Sequence, residues 1–205
     1  MTRISSQPQL ILASASPRRR ELLGEAGFIF EVRPPSPEAE GAAQPGESAA
    51  DLVRRLALGK ARDVARRASP QDQGKLIVAC DTVAACGGEI LGKPADEADA
   101  RAMLRLLSGR THEVYSGLCL YPLDGRVSEV RLARTTLLMD PLSDHDIDNY
   151  LASGGWQGKA GGFGYQDRLG WIHVLEGSES NVVGLPIELL REMLGSIMLS
   201  SMRLG

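Results

Sequence analysis

The sequence predicts a single α/β domain over residues 1–205, built on a mixed sheet. Three observations lead there. Short apolar runs that read as strands alternate with segments whose apolar residues recur at helical spacing. Two pairs of strand-like runs are joined by the turn signals Gly87-Gly88 and Leu123-Asp124-Gly125, so part of the sheet is antiparallel. No internal repeat or linker divides the chain, whose length suits one domain, or one domain with two lobes around a cleft.

The elements follow in order. Leu10 to Ala13 is a short apolar strand. Ser14-Ala15-Ser16-Pro17 leads into a helix, with Ser16 as N-cap, Pro17 at the first helical position and Gly27 at the end. Residues 33–47 are rich in Pro, Glu, Gly and Ala without periodicity, and read as a loop. Ser48 opens a second helix, with Asp51 three residues on as in a capping box. Leu52, Val53, Leu56, Ala57, Ala61 and Val64 form its apolar stripe. Leu76 to Cys86 is an apolar strand, and Glu89-Ile90-Leu91 its partner. Residues 96–108 are helical, stopped by Gly109. Residues 112–122 and 126–139 read as two long strands, and Ser143 caps a short helix through about Leu151. A Gly-rich stretch, 154–164, precedes a strand from Trp171 to Glu176. Pro186 opens a last helix that ends in an apolar, loosely ordered tail.

Bulk properties narrow the function. A formal net charge of −3 disfavours general nucleic-acid binding, which needs a basic surface, but leaves room for a small anionic ligand held by a few local cations. No apolar run is long enough to span a bilayer. Met1 to Gln9 lacks the charged start and apolar stretch of a secretory signal, which points to the cytoplasm. Cys80 and Cys86 lie six residues apart on one strand, roughly 20 Å by the rise of a strand, too far for a disulfide. With Cys119 they make an odd count that fits reduced, buried thiols. His112, His145 and His173 are scattered, with no zinc-ligand spacing.

Five segments are candidates for chemistry. At Ser14 to Arg19 a helix start offers unpaired N–H groups and a partial positive charge, and Arg18 and Arg19 add guanidinium forks suited to phosphate. The alternative is a solvated basic first turn, although cations there oppose the helix dipole. Asp81 sits in the middle of an apolar strand. Burying a lone carboxylate there is costly unless a cation, a metal or a donor pairs with it. It is either solvated on an edge strand or, the favoured reading, a metal ligand or general base facing a cleft. Lys60 falls on the apolar stripe of its helix, snorkelling to water or reaching into a polar cleft. Lys93 projects from the fixed backbone between Gly92 and Pro94. Gln166, after the Gly-rich stretch, carries one acceptor and two donors on its amide. The Gly161–Gly164 run neither follows a strand nor opens a helix, so it is no dinucleotide fingerprint.

Together the motifs resemble the Maf-like family. They are LILASASPRRRELL, RLALGKAR, IVACDTV, ILGKP, LSGRTHEVYSG, GKAGGFGYQ and EGSESNVVGLP, in the family's order over nearly the whole chain. The resemblance implies an elongated α/β fold with a mixed, strongly twisted sheet and a cleft between two lobes, related to the inosine triphosphate pyrophosphatase architecture. It implies hydrolysis of the α–β phosphoanhydride of a nucleoside triphosphate with a divalent metal, Mg²⁺ or Mn²⁺. Asp81 then matches the proton acceptor and a metal ligand, and Ser14, Arg18, Arg19, Lys60 and Lys93 match phosphate contacts. Glu38 lies where the family carries a metal-binding or catalytic acid; the surrounding PPSPEAE departs from the pattern, and Glu40 is the alternative. Arg18, Thr82 and Gln166 match the specificity positions of the dTTP/UTP subgroup, whereas Asp167-Arg168 stands where that subgroup more often has small residues. The runner-up readings are a 7-methyl-GTP pyrophosphatase and a non-catalytic nucleotide-binding regulator of septum formation. A homodimer belongs to the same set of expectations.

Overall fold

The computed structural model describes residues 9–167 and 169–202. The expectations for Met1 to Pro8 and for Arg168 lie outside the described residues. Seven strands form one mixed sheet in the order β2-β1-β3-β5-β6-β7, with β4 attached to β3. The strands are β1 (Leu10–Leu12), β2 (Phe30–Val32), β3 (Leu76–Cys86), β4 (Glu89–Leu91), β5 (Thr111–Pro122), β6 (Glu129–Met139) and β7 (Ile172–Glu176). β1 pairs in parallel with β2 and β3, and the remaining pairs are antiparallel. The helices are α1 (Pro17–Glu25), α2 (Ala49–Arg66), α3 (Glu97–Leu107), α4 (Asp144–Ala152), α5 (Glu179–Val183) and α6 (Ile187–Met202).

β3 organises the molecule. Its side chains alternate between two faces, as strand geometry requires. Ile77 and Ala79 pack with Ala57, Ala61 and Val64 of α2, and Val83 with Leu52, Val53 and Leu56 further along the same helix. α2 lies very close to the sheet. A Cβ on Gly117, the β5 partner of Asp81, would stand 2.2 Å from the carbonyl oxygen of Val53. Only a residue without a side chain lets the helix backbone come down on the strand at this point.

The other face carries two separate cores. Leu76, Val78 and Cys80 pack with Leu23 of α1 and with Leu190 and Met193 of α6. Ala84 and Cys86 pack with Leu104 and Leu107 of α3 and with Ile147 and Leu151 of α4. These are the two lobes, and β3 runs through both. β1 covers one β3 edge only along Leu76, Ile77 and Val78, and β4 covers the same edge only along Ala84, Ala85 and Cys86. Among the described residues no strand pairs with 79–83 on that edge. The gap is the floor of the cleft, and Asp81 and Thr82 stand in it.

Some elements differ from the sequence expectations. β2 and α5 are not expected from the sequence, and neither are the single 3₁₀ turns at Pro37–Ala39 and Pro70–Asp72. Three to five residues are too few to display a period. β6 begins at Glu129 rather than at 126, and α6 continues to Met202 where the sequence suggests a loose tail. Ser48 does cap α2, accepting from the Asp51 N–H, but the Asp51 carboxylate accepts from the Ser48 hydroxyl rather than from its N–H, so only half of the box forms. A full box forms at Ser143–Asp146, whereas at Ser69–Asp72 the carboxylate accepts from the Ser69 N–H and hydroxyl and the Asp72 N–H donates to the Ser69 carbonyl. All three cysteines are buried free thiols, and burial pushes the Cys119 thiol up to about 12.

Candidate active site

A cavity of about 930 Å³ opens over the unpaired stretch of β3. Ser14, Arg18, Arg19, Lys60, Asp81, Thr82 and Lys93 all line it. The loop after β1 and the start of α1 form one wall, and α2 forms the opposite one.

On the α1 wall Ser16 has N-cap geometry, but its side chain makes no capping bond, so it leaves the first-turn N–H groups without its hydroxyl as acceptor, and Ser16 to Arg19 line the cavity. The Ser14 hydroxyl accepts from Ser16 N at 3.1 Å, which folds the loop back on itself. Arg19 donates to the carbonyl oxygen of Gly184 (2.7 Å), to Thr82 Oγ1 (3.2 Å) and to Ser14 Oγ (3.5 Å). Arg18 donates to the carbonyl oxygen of Gly158 at 2.8 Å. Gly184 sits at φ 126°, a conformation that side chains disfavour. Its carbonyl also accepts from Thr82 Oγ1 (3.3 Å) and from the Cys80 thiol (3.4 Å). Thr82 bonds Ser116 as well, at 2.8 Å. Thr82 therefore orients Arg19 as well as lining the cavity. Burial, and after it the neighbouring Arg19, pulls Arg18 below the ordinary arginine value. Two guanidinium groups held by neutral oxygens carry charge that an anion satisfies.

On the α2 wall Lys60 is only 3% exposed and Asp81 7%. The Lys60 ammonium bonds Asp81 Oδ1 at 2.5 Å and reaches Glu40 Oε2 at 3.0 Å. Asp81 is thus neither solvated nor alone. Lys60 does not snorkel; it is buried in the pair, and the cost of burying both charges is offset by their mutual contact.

Glu38 does not line the cavity, whereas Glu40 does. The 3₁₀ turn at Pro37–Ala39 points Glu38 outward and brings Glu40 against Lys60. Of the two acids, Glu40 is the one this loop brings to the cavity. Gln166 also lies outside the main cavity. It lines a second one, of about 620 Å³, that shares Arg18 and Val183 with the first. Lys159, which lies in the GKAGGFGYQ motif but is not singled out from the sequence, lines the main cavity and is ion-paired to Asp167, which also accepts from the Tyr150 hydroxyl. Lys93 is exposed at the rim.

A cation-lined cavity with two carboxylates on one ammonium, at a break in strand pairing, defines an α/β protein built to hold a polyanion. The sequence profile of the Maf-like proteins matches residues 9–197, and the chain belongs to that family. It is 50% identical to the dTTP/UTP pyrophosphatase of Rhodopirellula baltica over 90% of this chain and 80% of that one. It is 47% identical to the dTTP/UTP pyrophosphatase of Sphingopyxis alaskensis over 93% and 97%, and 43% identical to that of Citrifermentans bemidjiense over 87% and 90%. The solved structure of the Staphylococcus aureus Ham1 protein aligns with 64% of this chain and 71% of its own, at a TM-score of 0.44 and 14% identity.

Proposed function

We propose that this chain is a nucleoside triphosphate pyrophosphatase that hydrolyses dTTP and UTP to the monophosphate and pyrophosphate. One observation carries the reading: the main cavity gathers the N-terminus of α1, Arg18, Arg19, Lys60, Asp81 and Lys93, in a chain half identical to a protein named for that activity. Its volume suits a nucleotide-sized ligand.

The α1 wall takes the phosphates. Backbone N–H groups, Arg18 and Arg19 face charge that grows on the phosphoryl oxygens as the bond to the leaving pyrophosphate breaks. Preorganised donors of this kind usually supply most of an enzyme's acceleration, each worth about 10²–10³ in rate. Asp81 takes the proton of the attacking water, and Lys60 holds its carboxylate in place. Asp81 and Glu40 both contact the Lys60 ammonium, and they are the residues that would hold Mg²⁺ or Mn²⁺, whose preferred donors are carboxylate oxygens. When bound, such an ion polarises phosphate oxygens and acidifies water. The Tyr165–Asp167 turn and Trp171 give the second cavity polar and aromatic walls for the base. The working place is the cytoplasm, where nucleoside triphosphates are abundant and three free thiols stay reduced. Among the described residues no helix is long and apolar enough to cross a membrane.

The test is a paired assay of pyrophosphate and orthophosphate release from dTTP, UTP, CTP, ATP and 7-methyl-GTP, with Mg²⁺ or Mn²⁺. Equal amounts of pyrophosphate and monophosphate, formed fastest from dTTP and UTP, are expected. Orthophosphate alone would make the protein a γ-phosphatase. Binding without turnover would make it a regulator. Fastest turnover of 7-methyl-GTP would move it to the other subgroup. Light scattering of the same preparation checks the homodimer.

A further inference from the structure

α2 presents two stripes. The apolar one faces the sheet. The other consists of Arg55, Gly59, Asp63 and Arg67, spaced four residues apart and so aligned on one helix face. The segment 34–47 runs along this second stripe in the opposite direction. Arg67 donates to the carbonyl oxygen of Pro34 at 2.7 Å and to Asp63 Oδ2 at 2.7 Å. Ser36 gives Asp63 two bonds, from its N–H (2.8 Å) and its hydroxyl (2.9 Å). A Cβ on Gly59 would lie 3.9 Å from the carbonyl oxygen of Ala39, so the segment passes close over the helix there. Arg55 then fixes the far end, donating to the carbonyl oxygen of Ala42 (3.0 Å) and, through two nitrogens, to Glu47 (2.6 and 2.7 Å). Between these two anchors lies Glu40, on Lys60.

Asp63 is 7% exposed and does not line the cavity, so it has no direct part in the chemistry assigned above. Its carboxylate is fully engaged, and the bond from the Ser36 N–H is foremost in holding its pKa down to about 2. Without an anchor, a segment this rich in Pro, Gly and Ala has nothing to fix where Glu38 and Glu40 point. We infer that Asp63 is a positioning residue of the active site: through Ser36 it sets the path of segment 34–47, so that Glu40 rather than Glu38 meets Lys60 and Asp81, with Arg55 holding the other end. Its kinetic consequences rest on the functional reading above; the placement of the loop does not.

Two measurements test this. In the first, intact protein is treated with a protease that cuts after glutamate. Cutting after Glu38 and Glu40 is expected to rise about tenfold in Asp63→Asn, which loses charge-assisted bonds from Ser36. An unchanged rate overturns the inference whether or not the protein hydrolyses nucleotides. In the second, kcat and KM for dTTP are measured in a cycle of Asp63→Asn and Glu40→Gln. The expected result is a fall in kcat of about tenfold for Asp63→Asn, with KM within about twofold, and no further fall when Glu40→Gln is already present. Additive losses, or a loss confined to KM, would make Asp63 a general structural residue and overturn the proposal. If Asp63→Asn does not fold, Ser36→Ala removes one of the two bonds and carries the same comparisons, with smaller changes in the same direction. A wild type that releases no pyrophosphate defeats the functional reading alone, because the cutting rates still decide where the loop is held.

Discussion

Arg19 and Lys60 are cations in one cavity, but their surroundings differ. Arg19 leans on a backbone carbonyl and two hydroxyls, all neutral. Lys60 is held between two carboxylates, one of them buried. The α1 wall therefore shows net positive charge to the cleft, and the Lys60 cluster on the α2 wall is net negative. On the proposed function, the first wall would take the triphosphate and the second a divalent cation. The difference also explains why both walls are held so firmly. Like charges on Arg18 and Arg19 repel, so Gly158 and Gly184 must hold them; opposite charges around Lys60 hold themselves, and only the path of the loop needs an anchor.

The sharpest way to break this division is Asp81→Asn. It removes the buried negative charge of the α2 wall and leaves Lys60 with Glu40 alone. The expected loss in kcat is about 10²–10⁴, the range for a general base, with nucleotide binding retained because the α1 wall is intact. Wild-type turnover by the folded variant would take Asp81 out of the mechanism. Loss of binding instead of turnover would place phosphates on the α2 wall and end the comparison.

Arg19→Ala probes the other side. A loss of about 10²–10³ in kcat/KM is expected, shared between kcat and KM because the contact tightens as charge develops. The half-maximal metal concentration should not move. A change confined to the metal requirement would mean that the two walls are not separate.

Glu40→Gln should do the reverse. It is expected to raise the metal concentration needed for half-maximal rate by on the order of tenfold, with KM for dTTP little changed at saturating metal. Glu38→Gln, outside the cavity, should change neither. Equal effects of the two substitutions would show that the loop does not hold one register.

How far the sequence reveals this arrangement differs between the walls. The α1 wall is readable. A strand, small residues, Pro at the first helical position and consecutive arginines are local signals, and Ser14, Arg18 and Arg19 do face the cavity. β3 and β4 are readable to the residue, because a continuous apolar run and the Gly87-Gly88 turn are local too. The loop on the α2 wall is not. Nothing periodic in residues 33–47 says which glutamate faces inward. The decision is made from outside the loop by the Arg55–Gly59–Asp63–Arg67 stripe, a helical spacing that becomes a signal only once the loop is known to cross it. β2 and α5 escape notice because they are short and are held by pairing and by Asn181, whose side chain donates to Val114 O and Thr135 Oγ1. The gap in the pairing of β3 is a tertiary fact, since it depends on where β1 and β4 end relative to each other.

The smallest expected effect concerns the base. Gln166 belongs to neither wall; it lines the second cavity, which meets the first at Arg18 and Val183. Uracil and thymine offer an N3–H donor beside a carbonyl acceptor, a pair that one amide can satisfy. Cytosine lacks the N3–H, and adenine presents another edge. Gln166 is exposed in the free protein, so one hydrogen bond made there is worth about 0.5–1.5 kcal/mol, a factor of roughly two to ten, unless the bound base buries it. Gln166→Ala should therefore lower kcat/KM for dTTP and UTP by about that factor and leave CTP and ATP nearly unchanged, with the metal requirement unaltered. The measurement is the set of four kcat/KM values on one preparation. Equal losses on all four nucleotides would mean that Gln166 supports the cavity wall and that backbone groups of the Tyr165–Asp167 turn read the base. A loss of a hundredfold or more on dTTP alone would mean that the second cavity closes over the base, and that the cleft has a third wall which forms only when the nucleotide is bound.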